Sequence, residues 1–269
     1  ETARTVVRNL PIPIPPLKEQ EKVAEILSTV DDAIQKTNEV IAKTERLKKG
    51  LMQELLTKGI GRKEFRYSKE LGCEVPKEWE VVRVGKICTS IVPGRNKPKR
   101  FDGDIPWITS PDIEGMYIGS SKLGLKVSEE EVRRSGGKIV PPNSVILTCV
   151  GELGVAAIAT RRIVINQQLH AFVCPDNLDP YFLAVALMSQ KKYMLSIATT
   201  TVVRYMNKDN CESIPIPLPT LGEQQKIAEI FSAVDKKLEI ESGEKAKLER
   251  IKQGLMDLLL TGKVRIRVD

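Results

Sequence analysis

The sequence predicts a mixed α/β domain flanked by two long repeat helices that pair with each other as an antiparallel coiled coil. Two observations lead to this fold class. Residues 10–57 and 214–261 are copies of one segment at a constant offset of 204 (214 − 10), and 25 of the 48 aligned residues are identical. The sequence between the copies has a different pattern, in which short apolar runs alternate with turn residues. The predicted order is therefore a helix, a globular domain and a second helix of the same kind.

The repeat also sets the predicted domain boundaries. The run Thr5-Val6-Val7-Arg8 matches Thr201-Val202-Val203-Arg204, which precedes the second copy. The first residues are therefore interpreted as the tail of a preceding domain. The four predicted segments are this tail (1–9), the first repeat with its helix (10–60), the globular domain (61–213) and the second repeat with its helix (214–269).

Each copy begins with alternating prolines, which favour an extended backbone because proline fixes φ and restricts the residue before it. The helix that follows runs from Leu17 to Thr57 in the first copy, roughly 60 Å at 1.5 Å per residue. In the second copy, Thr220 and Glu223 have the spacing of a capping box. Apolar residues then recur at heptad spacing in both copies. The residues predicted to pair the helices are Val23, Leu27, Val30, Ile34, Leu51, Leu55, Ile227, Phe231, Val234, Leu238, Leu255 and Leu259.

A long helix with a one-sided apolar stripe must bury that stripe, and the only comparable stripe in the sequence belongs to the other copy. Antiparallel pairing is favoured because Thr57 would then lie near Thr220, so the domain between them need not span the length of a helix. The alternative is that both helices pack on the domain as ordinary amphipathic helices.

The central segment carries strand and helix patterns in mixed order, bounded by turn dipeptides such as Pro93-Gly94 and Gly136-Gly137. The predicted strands are Trp79–Val84, Ile105–Ile108, Ser144–Val150, Val155–Ala159 and Ala171–Cys174. Helices are predicted over Pro180–Met194 and, as a short one, over Ser128–Ser135.

The composition favours an anionic partner, with nucleic acid preferred over a membrane. The net charge is +7, and residues 61–215 hold 22 Lys/Arg against 17 Asp/Glu, so most of the excess lies in the central segment. Five scattered cysteines without a CxxC pair, together with a single histidine, argue against a zinc site or a disulfide framework and fit a reducing cytoplasm. No apolar run is long enough for a membrane span.

Several motifs resemble the specificity (S) subunits of type I restriction-modification enzymes. In each copy they are the Pro-Ile-Pro-x-Pro-x-Leu-x-Glu-Gln start, the Ala-Glu-Ile run and the Gly-Leu-Met run, followed once by Leu-Leu-Thr-Gly-Lys-Val at 259–264. Within the domain they are Val75–Val82, Ile105–Thr109 and Asn166-Gln167. The resemblance covers nearly the whole chain. It departs from the family pattern in one respect, because an S subunit has two target-recognition domains and this sequence has one.

The resemblance implies half of an S subunit, a non-catalytic protein that reads one half of a bipartite site in double-stranded DNA. It also implies partners, which are methyltransferase (M) and endonuclease/translocase (R) subunits, and a cytoplasmic location. No cofactor is implied. Because a bipartite target needs two domains, a homodimer is also expected. The alternative is a coiled-coil adaptor whose central domain binds another protein.

The candidate DNA-binding residues are basic or amide side chains in predicted loops. Lys and Arg neutralise phosphates, whereas Arg, Asn and Gln can make paired hydrogen bonds to base edges. The set is Arg95, Asn96, Lys97, Lys99, Arg100, Thr109, Ser110, Arg161, Arg162, Asn166, Gln167, Gln168, Thr200 and Arg204. The alternatives are a solvated surface loop for the basic run, amides that hold loops together, and β-branched packing around Thr200.

No pattern for a catalytic or metal centre is found. Asp102, Asp104 and Asp112 are close in sequence, but no Glu-x-Lys partner stands at a spacing that a nuclease would use. These aspartates are therefore interpreted as turn residues, since Asp side chains bond to backbone amides in turns. Trp79 and Trp107 are predicted to lie in the core.

Overall fold

The structure is a computed structural model, and it describes residues 12–94, 96–200 and 203–267. The predicted tail 1–9 lies outside the described residues. The chain divides into two compact units, one formed by residues up to Leu47 with residues from Val234 onward, the other by Lys48–Ala233. The last residues of the first long helix and the first residues of the second therefore belong to the same unit as the central domain. The division between the units falls inside the predicted repeat segments.

The elements follow the predicted order of helix, mixed domain and helix. The helices are α1 (Leu17–Leu55), α2 (Val84–Ile87), α3 (Glu129–Arg134), α4 (Pro180–Ser189), α5 (Lys191–Ile197), α6 (Lys208–Glu212) and α7 (Leu221–Leu259). The strands are β1 (Phe65–Ser68), β2 (Cys73–Pro76), β3 (Glu80–Arg83), β4 (Thr89–Ile91), β5 (Ile105–Ile108), β6 (Tyr117–Ile118), β7 (Lys126–Val127), β8 (Val145–Thr148), β9 (Ala156–Ala159), β10 (Val164–Ile165), β11 (Leu169–Val173), β12 (Thr199–Thr200), β13 (Arg204–Tyr205) and β14 (Pro215–Leu218).

All five predicted strands are present within a few residues of the predicted bounds, and the mixed α/β class is confirmed. The predicted helix over Pro180–Met194 is divided into α4 and α5 at Gln190, where the backbone leaves the helical region. The short helix at 129–134 is capped by Ser128, whose side chain accepts a hydrogen bond from the Glu131 amide.

In the first unit, two ion pairs join the helical segments in antiparallel order. Glu19, at the start of α1, binds Arg265, beyond the end of α7, while Asp31 binds Lys252 with 2.6 Å between the charged atoms. The two residue numbers of each pair have nearly the same sum, which is the signature of antiparallel neighbours. Val23 is 8% exposed, and Leu27, Val30 and Leu255 are half-buried. Antiparallel order is thus present, while interdigitating coiled-coil packing stays a prediction.

Other residues of the predicted stripe lie in the core of the second unit. Leu55, Ile227 and Phe231 are buried there with the strands and α4, and Leu51 packs against the same cluster. The alternative of helices packing on the domain therefore holds for these ends, because the domain itself offers the apolar surface that covers them.

The main sheet of the domain has five strands in the order β4-β11-β8-β9-β6, and a second sheet has the order β10-β5-β7. The apolar helix α4 contacts β8 and β9. Strand β14 pairs antiparallel with β3, with Ile216 opposite Val82. The alternating prolines explain this one-sided pairing. Proline has no N–H to donate, and β14 pairs along one edge only, through Ile216 and its alternate neighbours.

A buried carboxylate connects the parts of the second unit. Glu223, near the start of α7, is 5% exposed and accepts hydrogen bonds from Arg62, the Ile60 amide and the Trp79 indole, the last at 3.2 Å. Burial alone would raise the pKa of this carboxyl, but the bonds from Arg62, Ile60 and Trp79 hold the pKa below its ordinary value.

We expect Glu223→Ala to lower the free energy of unfolding of the second unit by about 2–3 kcal/mol, since it removes charge-assisted bonds and leaves buried donors unpaired. Urea denaturation followed by tryptophan fluorescence measures this unit alone, because Trp79 and Trp107 are the two tryptophans of the chain.

Glu229→Ala is the matched control, because Glu229 is exposed on the same helix. Since the pKa of Glu223 is lowered by folding, its contribution is complete above the unfolded pKa of about 4.3 and is lost as the pH falls further. Equal midpoints for the Glu223 variant and wild type at pH 7 would contradict the expected role.

Candidate nucleic-acid interface

The candidate interface lies at the carboxyl ends of β5 and β10, which run parallel. In their register Trp107 is opposite Val164 and Ile108 is opposite Ile165. The next residues, Thr109 and Asn166, therefore leave the sheet side by side, and the Asn166 amide donates to the Ile108 carbonyl at 3.0 Å. Two segments that are far apart in sequence and were both predicted as DNA-binding thus meet at one edge.

The segment after β5 is fixed by Asp112. Its carboxylate accepts bonds from the amide and hydroxyl of Thr109, both at 2.7 Å, and from the Lys122 amide. Burial would raise the pKa of Asp112, but these bonds lower it, so the group is a carboxylate at neutral pH. The turn role predicted for Asp112 is confirmed. In the described part of the chain the neighbouring Ser110 hydroxyl is buried without a hydrogen-bond partner.

The amide segment after β10 holds itself and the basic run in place. The Asn166 side chain donates to the Gln168 side chain, and its oxygen accepts from the Gln168 amide, both at 3.1 Å. The Gln167 side-chain amide donates to the Gly94 carbonyl at 2.8 Å. Gln167 therefore holds loops together, as the alternative supposed, while Asn166 and Gln168 present their bonded pair at the edge.

The basic run 94–100 is anchored at several points and is not a free loop. Gly94 is buried so closely against residues 135–137 that a Cβ atom there would lie 2.6 Å from the Gly137 nitrogen. The Lys99 amide donates to the buried Glu131 carboxylate at 2.6 Å. That bond lowers the pKa of Glu131 against the effect of burial. Arg95 lies outside the described residues, and the Asn96 and Lys99 side chains are exposed.

Aromatic side chains support the same run. The Lys97 ammonium is 5.5 Å from the centroid of the Trp107 ring, a cation–π distance, and Phe101 packs on that ring with centroids 5.3 Å apart. Trp107 is 6% exposed, so its predicted place in the core is confirmed. Lys97 is therefore positioned by the core, while its own side chain faces solvent.

Two of the arginines predicted to bind DNA form ion pairs with carboxylates. Arg100 binds Asp102 at 3.0 Å, which raises the pKa of the guanidinium, and Arg162 binds Glu129, which lowers the pKa of that carboxyl. Both pairs are about half exposed. Arg100 and Arg162 are thus partly neutralised, unlike Lys97 and Lys99, for which the described residues show no ion pair.

Arg161 and Arg162 precede β10, and the three residues 163–165 separate them from Asn166, about 13 Å from Arg162 at the rise of a strand. Arg162 binds Glu129, and the Lys99 amide binds Glu131 of the same helix, α3, so the arginine pair and the basic run contact one element. The single face predicted for the basic run, this pair and the amides stays a prediction.

Thr200 and Arg204 lie opposite each other in the β12–β13 pair, of which the Thr200 side chain is not described. The Arg204 carbonyl accepts from the Gly151 amide at 2.9 Å, and the neighbouring Cys149 amide donates to the Gln168 carbonyl at 2.9 Å. Residues 149–151 therefore lie between Arg204 and the amide segment.

The sequence reasoning missed the supporting residues Gly94 and Glu131. The signal for Glu131 was present, because Ser128 and Glu131 have capping-box spacing. Gly94 could not be recognised, since its close contact is with residues about 40 positions away.

Among the residues described, no group of His, Cys, Asp or Glu is arranged to hold a metal ion, and no described helix is long and apolar enough to cross a membrane. The five cysteines are free thiols.

Comparison with protein families gives a match that covers most of the chain. A family model described as the type I restriction modification DNA specificity domain matches residues 2–46 and 76–250. Two relatives from Methanocaldococcus jannaschii are a putative type I restriction enzyme MjaX specificity subunit, 32% identical, and the type I restriction enzyme MjaVIII specificity subunit, 31% identical. Both alignments cover 98% of this chain, but only 61% and 64% of the relatives, so the chain spans a little under two thirds of their length.

Solved structures share the fold. The HsdS subunit from Thermoanaerobacter tengcongensis matches with a TM-score of 0.59 at 22% identity, over 94% of this chain and 61% of that one. A chain from a structural study of assembly and conformational transition in the type I R-M system matches with a TM-score of 0.61 at 20% identity, over 93% of this chain and 60% of that one.

We expect Gly94→Ala to displace the basic run, because the added methyl would meet backbone atoms that cannot rotate away. Overpacking of this kind costs about 1–3 kcal/mol. Thermal unfolding followed by tryptophan fluorescence measures the loss, with Gly222→Ala as the control, since a Cβ at Gly222 meets nothing within 4 Å among the described residues. Unchanged melting of the Gly94 variant would show that the run is not anchored at this glycine.

Proposed function

The chain belongs to the family of type I restriction modification DNA specificity domains, and from this premise we propose that it reads one half of a bipartite target in double-stranded DNA. In this proposal the chain is the non-catalytic specificity subunit of a restriction-modification complex. The family match over residues 2–46 and 76–250 is the observation that carries it. The alternative of a coiled-coil adaptor has no support in the comparisons.

The proposed contact surface is the edge formed by the basic run and the amide segment. Lys97 and Lys99 neutralise phosphates, because both side chains are exposed. The Lys99 backbone is anchored by Glu131, and the Lys97 side chain is positioned by Trp107. Asn166 and Gln168 face base edges, where a planar amide can bond an adenine at two positions. Asn96 extends this surface, and the Gln167 side chain links its two parts through the Gly94 carbonyl. Arg95, which lies outside the described residues, stays a predicted contact.

The remaining predicted residues have secondary roles in the proposal. Thr109 and Ser110 border the edge, and Arg204 with Thr200 lies beyond residues 149–151 at its side. Arg161, an exposed residue before β10, contacts backbone phosphate. Arg100 and Arg162 contribute less, since each must leave a carboxylate before it can bind a phosphate.

The helical segments serve as scaffold in this proposal. They space the recognition domain and bind the M and R subunits that carry the methyltransferase and endonuclease activities. The location is the cytoplasm, where such a complex meets DNA. Self-association of two copies remains a prediction.

We expect Lys97→Ala and Lys99→Ala to weaken binding to every duplex alike, because a phosphate contact carries no sequence information. Each lost contact should make the slope of log K against log salt about 0.9 less steep. Fluorescence anisotropy with cognate and scrambled duplexes at several salt concentrations measures both quantities. The control is Lys69→Ala, an exposed lysine in the β1–β2 turn, and equal slopes for all three variants would contradict the assignment.

Asn166→Ala should instead cost about 1–3 kcal/mol on the cognate duplex only, because a base contact is lost while phosphate contacts remain. The cognate site is first identified by comparing the methylated motifs of host cells with and without the gene. Asn177→Ala, an exposed asparagine in another turn of the same unit, is the control. An equal loss on cognate and scrambled duplexes would contradict base reading by Asn166.

A further inference from the structure

Two cysteines stand opposite each other at the end of the β4–β11 pair. In the antiparallel register of these strands Thr89 lies opposite Val173. The next step of the same register places Cys88 opposite Cys174. Cys88 follows helix α2 but has an extended backbone, with φ −104° and ψ 147°, so it already continues the line of β4.

The two thiols also lie on one face of the sheet. Side chains alternate along a strand, so Cys88 shares its face with Ser90, and Cys174 shares its face with His170. A ring nitrogen of His170 is 3.1 Å from the Ser90 hydroxyl, which puts both sets on the same side. The two thiols are hydrogen bonded to each other, and this bond together with burial raises the pKa of the Cys174 thiol.

This arrangement meets the geometric requirement of a disulfide bond. Residues directly opposite each other in an antiparallel pair have Cα atoms about 4.5–5.5 Å apart. Disulfides join residues whose Cα atoms are about 4.4–6.8 Å apart. The sulfurs of Cys88 and Cys174 can therefore be joined with little movement of the backbone.

Cys88 and Cys174 combine contact with access to solvent. Cys174 is partly exposed, while Cys88 is 7% exposed and belongs to the core. Cys149 and Cys211 are also hydrogen bonded to each other, but both are buried, at 5% and 0% exposure. A dissolved oxidant therefore reaches Cys174 more readily than either thiol of the second pair.

A bond between Cys88 and Cys174 encloses the proposed contact surface. The basic run 94–100 and the amide segment 166–168 both lie between these two cysteines in the sequence. Strand β4 has three residues and lies at the edge of its sheet, where β11 is its neighbour. Because a short edge strand is held along one side, a covalent link at Cys88 fixes the segment that leads into the basic run.

We propose that Cys88 and Cys174 are a site of oxidative modification, at which a low-molecular-weight disulfide converts the two thiols into one intramolecular disulfide. The Cys174 thiolate attacks one sulfur of the oxidant and releases a first thiolate. The Cys88 thiolate then attacks the Cys174 sulfur and releases the second. Two protein thiols are oxidised, the S–S bond of the oxidant is reduced to two thiols, and the two cysteine protons pass to the released thiolates.

The disulfide stabilises the second unit, because it restricts the unfolded chain across a long loop. A reducing thiol reverses the bond by the same exchange. The stability of the unit thus follows the balance of oxidant and reductant, and this holds whether or not the chain reads DNA.

The test treats the full chain with oxidised glutathione in mildly alkaline buffer, since the raised pKa of Cys174 leaves little thiolate at neutral pH. Free thiols are then blocked with iodoacetamide, and the chain is digested with trypsin without reduction. Trypsin places the five cysteines in five different peptides, so each linkage is identified by its mass. The peptides of Cys88 and Cys174 should be joined, and the intact chain should lose the mass of two hydrogen atoms.

The melting temperature of the oxidised chain, followed by tryptophan fluorescence, should rise by about 5–15 °C. Dithiothreitol should reverse the rise. Cys174→Ser should abolish both the linkage and the rise, and circular dichroism verifies that this variant is folded. Cys73→Ser is the matched control, because Cys73 is a partly exposed thiol of the same unit, and it should preserve both effects.

The linkage map of the wild-type chain decides the proposal without relying on either variant. Glutathione retained on Cys174 without a linkage, a predominant Cys149–Cys211 linkage, or an unchanged mass would each overturn it. A Cys88–Cys174 linkage that does not raise the melting temperature would also overturn it, since the two thiols would then not be aligned for the bond in the folded unit.

Discussion

A carboxylate near the start of each long helix, bound by an arginine that follows the end of the other repeat's helix, is the interaction on which the architecture depends. Glu223 with Arg62 and Glu19 with Arg265 are two instances of one arrangement. A nearly buried carboxylate is costly unless charge-assisted bonds compensate it. Each instance therefore fixes which chain segments meet at a helix start. Where the Trp79 indole adds a third donor, the domain is joined to the same point.

The candidate interface depends on a different constraint, the parallel pairing of two very short strands. Parallel strands deliver their carboxyl ends to one edge, so Thr109 and Asn166 become neighbours although they are 57 positions apart in the sequence. The side chains offered to a ligand are then supported by main-chain contacts, above all at Gly94 and at the Glu131 carboxylate. Such support holds flexible Lys and amide side chains near one geometry, and a sequence-reading surface requires that.

Much of the fold could be predicted because its signals are local. The repeat, the proline alternation of β14 and the apolar runs of β5, β8 and β9 each specify a secondary structure within a few residues. The candidate site was predictable only in part. Residue type suggested Asn166 and Lys97, but the partners of Arg100 and Arg162 depend on the placement of Asp102 and Glu129 in space.

The sequence by itself determined the order of elements, the duplication and the family, since all three follow from residues near one another or from direct identity between two segments. Only the tertiary structure decided the register of β5 against β10, the ion pairs of Arg100 and Arg162, and the bond between the Trp79 indole and Glu223. These depend on contacts between distant segments. Such contacts are set by packing and by the satisfaction of buried charges, and two copies of one segment, identical at 25 of 48 positions, can meet different surroundings.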